Sequence, residues 1–320
     1  MSAAFSVPVC RHHPLHVRWM RCVLAVVALA PVPVMADEPS PTRVGEIVEG
    51  KGDFAWKHFD GDQERVVQVW TYRPSDFGPR DPIVFVMHGM LRNGETYRQP
   101  WISIADRARF LVVVPEFSSD QFPASRSYQF GNLRNGEGQW NPEAAWSFTA
   151  VEGIFDQVRE VTGSEAEGYY IFGHSAGSQF VHRMAIFKSQ MRAKLAIAAN
   201  AGSYTMPTRG VAYPYGLGGV EMDDEEWKGR LSRPLVVLLG SEDTDPEDSS
   251  LPRRPGAMAQ GPHRVARGDR FFRTAEAEAE RLGISLGWQK RGVPGVGHDN
   301  KRMAPAAAAL IRDHHQATVR

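Results

Sequence analysis

Along the chain, short apolar runs alternate with amphipathic stretches. Residues 83–87, 110–114, 169–172 and 234–239 are nearly unbroken runs of valine, isoleucine, leucine and aromatic side chains, and 66–72 and 194–200 are looser ones. Continuous apolar runs of this length predict strands buried on both faces. Residues 54–59 alternate, as a strand with one wet face does. Pro115 should stop the run that begins at 110, and 286–290 predicts a last short strand. Between these lie helical patterns at 97–109, 143–162, 178–189, 264–282 and 303–315. In the second of them Ala145, Phe148, Val151, Phe155 and Val158 recur at helical spacing. Strands alternating with helices predict an α/β fold: a doubly wound, mostly parallel sheet with helices on both faces. No repeat interrupts the pattern, so one domain is expected over residues 37–320.

Two stretches escape the pattern. Residues 117–141 and 202–228 are irregular and rich in glycine and aromatics. Loops this long in a compact domain form lids or binding walls, so both are expected to make a cap or cleft rim. Phe117, Phe122, Tyr128, Phe130 and Trp140 in the first, Tyr204, Tyr213 and Tyr215 in the second, and Tyr97 and Trp101 beside them, either line a pocket or pack the loops down.

Composition narrows the class. Lys+Arg and Asp+Glu both number 37 in 320 residues, so no basic excess argues for nucleic acid. There is no zinc-type Cys/His spacing and no phosphate-cradling glycine loop, and no cofactor or metal is implied. The first 36 residues differ from the rest. They hold Arg11, Arg18 and Arg21 and no acid, then an apolar run from Cys22 to Leu29, then Val34-Met35-Ala36. This reads as a cleavable secretory signal peptide, with Met20 as a possible alternative start. The run is short and proline-broken for a bilayer span, so secretion or periplasmic export without stable membrane insertion is expected. Both cysteines, Cys10 and Cys22, fall in this segment, and the exported chain would rely on its core rather than on disulfides.

The chemistry centres on Gly173-His174-Ser175-Ala176-Gly177, between a predicted strand and a predicted helix. Gly-x-Ser-x-Gly alone arises by chance in roughly one chain in ten of this length. In a strand-turn-helix it is the pattern of a nucleophile elbow. A serine nucleophile needs a base, an acid to orient the base, and oxyanion donors. The strand at 234–239 leads into Gly240-Ser241-Glu242-Asp243-Thr244-Asp245. Asp243 has the best spacing for the acid, with Asp245 and Glu242 as rivals. His298, in the glycine loop after the last strand, is the expected base. His58, His263, His314 and His315 are less well placed, and the His174 side chain should point away from the hydroxyl. The backbone N–H groups of Ala176 and of Met90, in the turn His88-Gly89-Met90, are the expected oxyanion donors.

The order Ser175, Asp243, His298 is that of the α/β-hydrolase fold. With His88-Gly89, Gly94 and Tyr97, Phe130-Gly131-Asn132 and Trp140, and Pro294-Gly295-Val296-Gly297-His298, the chain resembles α/β-hydrolase serine esterases. The branch it resembles is that of secreted esterases related to polyhydroxybutyrate depolymerases and feruloyl esterases. The resemblance implies a carboxylic ester hydrolase acting on a small or oligomeric ester through an acyl-enzyme on Ser175. Members of that branch commonly carry cysteines, and this chain has none beyond residue 36. Acyl transfer or peptide cleavage by the same triad, and a non-catalytic binding protein on the same fold, are the alternatives.

Overall fold

The computed structural model describes residues 47–61 and 63–318. The expected signal peptide lies outside the described residues. Two long strands, β1 (Gly50–Asp60) and β2 (Gln63–Arg73), form a hairpin. Then β3 (Ile83–Met87), α1 (Gly94–Ala108) and β4 (Leu111–Glu116) follow. After a long irregular segment come α2 (Ser147–Thr162), β5 (Tyr169–His174), α3 (Ala176–Phe187) and β6 (Ala193–Ala199). The chain ends in α4 (Asp224–Leu231), β7 (Leu235–Gly240), the short α5 (Pro255–Met258), α6 (Arg264–Leu282), β8 (Trp288–Val293) and α7 (Asn300–Thr318).

The strands form one sheet in the order β1-β2-β4-β3-β5-β6-β7-β8. β2 is antiparallel to both neighbours, and every pairing from β4 to β8 is parallel. Side chains alternate faces along each strand, so a continuous apolar run feeds two cores at once. Ile83, Phe85 and Met87 face a cluster covered by α2, α3, α4 and α6. Val84 and Val86 face a second one covered by α1 and α7. This is the doubly wound α/β sheet the apolar runs predict, with the strand order of an α/β-hydrolase.

Some boundaries differ from the pattern. β4 runs on through Pro115. β3 pairs with β4 only as far as Val113, so the proline, which has no N–H to donate, sits where the strand has lost that neighbour. The helix expected at 143–162 breaks at Trp146, whose extended backbone (φ −72°, ψ 137°) separates a single turn at Glu143–Ala145 from α2. The last strand sits at 288–293 rather than 286–290. α4 carries only two buried apolar residues, Trp227 and Leu231, too few to show a period. Its start is marked by a capping box between Asp223 and Glu226.

The first irregular stretch is packed rather than free. Phe117, Phe122 and Tyr128 are buried with Phe148 and Phe180. Arg92 donates to the carbonyls of Phe117 (2.5 Å), Phe122 (3.2 Å) and Ala124 (2.8 Å) and lies over the Tyr128 ring. The two excursions meet where Tyr213 Oη donates to Phe130 O at 3.2 Å. They rim a cleft of about 320 Å³ that includes Trp140, Val220, Glu221 and Met222.

Candidate active site

β5 delivers its chain end to a sharp turn. Ser175 has φ 59° and ψ −115°, a left-handed conformation an L-residue adopts only at a cost. The two flanking glycines make the turn feasible. A Cβ on Gly173 would overlap the Gly177 carbonyl, and one on Gly177 would overlap that of Met87. The serine hydroxyl therefore stands at the N-terminus of α3, on the carboxyl edge of the sheet.

His298 Nε2 is 3.0 Å from Ser175 Oγ, and His298 Nδ1 is 2.7 Å from Asp243 Oδ2. The loops carrying Asp243 and His298 are tied to each other. Glu242 N–H donates to Val296 O at 2.9 Å, and Gly295 N–H donates to Ser241 Oγ at 2.9 Å. Asn200, fully buried at the end of β6, accepts from Gly240 N–H at 2.8 Å and donates to Gly297 O at 3.2 Å. One amide thus holds both loops. Asp243 is buried, and Arg264 Nη1 donates to its Oδ1 at 3.1 Å. The rivals are elsewhere: Asp245 accepts the N–H of Glu247 in an exposed turn, and the Glu242 side chain is exposed.

The turn after β3 is built on His88. Its Nε2 lies 3.0 Å from the N–H of Phe117, which is a donor, so Nε2 accepts and Nδ1 carries the proton. Nδ1 then donates to Gly89 O at 2.9 Å. Burial lowers the imidazole to about 3, keeping it neutral. Gly89 O also accepts from Arg92 N–H at 3.2 Å. In a trans peptide the N–H lies opposite the C=O, so the Met90 N–H is directed away from these donors. Among the described residues neither Met90 N–H nor Ala176 N–H has a hydrogen-bond partner.

A cavity of about 750 Å³ opens over Ser175 and His298. Its walls are Gly89–Pro100 residues of the β3–α1 turn and α1, Ser250, and the start of α7. Of the aromatics considered from sequence, only Tyr97 reaches this wall; Trp101, Phe117, Tyr128 and Tyr204 are core. Neither ring nitrogen of His174 makes a hydrogen bond to the Ser175 hydroxyl. The ring lines the cavity and packs on His298, ring centroids 4.5 Å apart. Burial, then the charges of His298 and Arg264, hold it well below the ordinary histidine value. Other described histidines serve the scaffold: His58 is near Ala145 O, His182 on α3 accepts from Thr205 N–H at 3.1 Å, His263 caps α6, and His314 and His315 flank the Tyr170 hydroxyl. Arg264 and Asn200 had no sequence signal, because each acts through neighbours distant along the chain.

Sheet order and elbow together define an α/β-hydrolase. The fold superposes on poly(aspartic acid) hydrolase-1 from Sphingomonas sp. KT-1 with a TM-score of 0.79, at 39% identity over 82% of this chain and 98% of that one. A poly(3-hydroxybutyrate) depolymerase from Bordetella parapertussis gives 0.77, at 35% identity over 83% and 91% of the two chains. A ferulic acid esterase, 16% identical over 84% of this chain and 99% of that one, shares the fold with a TM-score of 0.51. No family model and no curated protein matches the chain. At these identities and coverages the chain belongs to the serine-esterase branch of the α/β-hydrolases.

Proposed function

We propose that this hydrolase cleaves carboxylic esters through an acyl-enzyme on Ser175. The observation that carries the reading is the hydrogen-bonded line Ser175–His298–Asp243 at the mouth of a cavity. His298 Nε2 takes the Ser175 proton as Oγ attacks the ester carbonyl carbon. The carbonyl oxygen becomes an oxyanion facing the N–H groups of Met90 and Ala176, each contributing roughly 3 kcal/mol in comparable sites. As the C–O bond breaks, His298 returns the proton to the leaving alcohol. Water, deprotonated by the same imidazole, then releases the acid and restores Ser175. Asp243 holds Nδ1–H, which fixes the tautomer and supports the transient imidazolium.

A second reading is favoured by the likeness to poly(aspartic acid) hydrolase-1, whose name specifies an amide-linked polyanion. The same machinery cleaves amides if the leaving amine is protonated, and Lys301 is the one cation among the cavity-lining residues. The N-terminal segment supports export to the periplasm or beyond. Mass spectrometry of exported protein should find a new N-terminus near Asp37, and an intact Met1 or Met20 would refute cleavage.

The central test compares purified wild type and Ser175→Ala on p-nitrophenyl esters, hydroxybutyrate oligomers and poly(aspartic acid). Activity in the variant should fall at least about 10⁴-fold on every substrate that is cleaved. Persistence of ester hydrolysis would sink the mechanism. Cleavage of poly(aspartic acid) alone would replace the ester reading by the amide one.

A further inference from the structure

Arg264 stands one step behind Asp243. It opens α6 with its side chain 1% exposed. Nη1 donates to Asp243 Oδ1 at 3.1 Å, on the oxygen that His298 does not use. Nη2 donates to Asp248 Oδ1 at 3.1 Å and Ser250 Oγ at 2.7 Å. Ser250 belongs to the cavity wall. One guanidinium therefore touches both the carboxylate that orients the base and the loop that shapes the cavity.

We propose that Arg264 is a positioning residue of this site: its charge competes with His298 for the Asp243 carboxylate, and its second arm holds the Ser250 wall in place. The proposal rests on the triad reading above. A carboxylate alone stabilises a protonated imidazole, and a cation on its far oxygen works against that. Burial makes the competition effective, because little solvent screens it.

The groups facing His298 leave few other sources for such an effect. β5 presents His174, which burial keeps neutral. α1 presents Tyr97, whose phenol burial pushes up, out of range. The acid loop presents Asp243 and, beyond Arg264, Asp248, while the Glu242 side chain is exposed. Burial pushes the Asp248 carboxyl up, but hydrogen bonds from Arg264 and Ser250 outweigh it and bring the group down. After His298 in the chain, Asp299 caps α7 through the N–H groups of Lys301 (2.8 Å) and Arg302 (3.2 Å), and the Lys301 side chain is exposed. Among the described residues, Arg264 is the buried cation on the triad carboxylate.

The test is the pH–rate profile of kcat/KM for Arg264→Gln, Arg264→Lys and Asp248→Asn, with Ser175→Ala as the reference for the triad. The acid limb should rise by about 1 pH unit in Arg264→Gln, a roughly tenfold loss well below the limb. Arg264→Lys keeps the charge and should leave the limb in place while lowering kcat. Asp248→Asn frees Arg264 to act on Asp243 alone and should move the limb down, by about half a unit. Opposite shifts in the two variants are not produced by a merely structural residue. If Arg264→Gln does not fold, Asp248→Asn decides alone. An unmoved limb there, or a limb moved up, overturns the role of Arg264. Activity surviving in Ser175→Ala would instead remove the triad reading and the proposal with it.

Discussion

Ser175 sits in a conformation that costs energy and is held there by its neighbours. Asp243 shows how a residue's role depends on what surrounds it. Three acids lie within four positions on the loop after β7, and chain order alone ranks them only by spacing. The structure separates them by burial: Asp243 is 4% exposed and bonded to His298 and Arg264, whereas Asp245 faces solvent. Asp243→Asn should therefore lower kcat by about 10³- to 10⁴-fold through loss of tautomer control. Asp245→Asn should stay within about twofold. Kinetics on a soluble ester, with a melting curve to exclude unfolding, check both, and a reversed ranking would reassign the acid. His174 carries the opposite lesson. Its place beside Ser175 was legible, but its packing against the His298 ring was not, since that contact depends on a loop far along the chain.

At the scale of elements, the strands were legible because a run buried on both faces leaves little choice of residue. β3 is read from sequence with its boundaries intact, and α6 likewise, because a His263 cap and Gly283 delimit its amphipathic period. The irregular stretches were not, because their order comes from single anchors such as Arg92 rather than from periodicity. The elbow is the most constrained element. Gly177→Ala drives a methyl group into the backbone of the β3 end, and should cost about 3 kcal/mol as well as most of the activity. Gly136→Ala meets open space and should be close to neutral. Urea midpoints of the two variants test the difference; an unshifted Gly177→Ala would mean the strand and helix can separate at no cost.

At the scale of the molecule, the fold buries His88 after β3, His174 on β5 and His182 on α3 in neutral form. Burial is the leading cause in each, with His88 lowered to about 3 and the others well below the ordinary value. The sign follows directly. The unfolded chain takes up these protons below about pH 6.5 and the folded chain does not, so stability is intact above that pH and falls as pH drops towards the folded values. Each such histidine contributes at most about 1.4 kcal/mol per pH unit, so stability should be lower at pH 5.5 than at pH 6.5. Urea unfolding at the two pH values should show the loss, and equal stabilities would contradict neutral burial. The α/β alternation, the elbow and the order of the three candidate residues are readable along the chain. Those follow from side-chain periodicity and from each residue's place at a strand end, which are local properties. Which of the three carboxylates meets His298, and what His174 packs against, depend on how distant segments come together. The same packing lets Asn200 tie the Asp243 and His298 loops and puts Arg264 behind Asp243. The physical reason is that a buried polar group must find its partner wherever packing puts one: His298 and Ser175 meet across 123 residues of chain, a pairing no local pattern encodes.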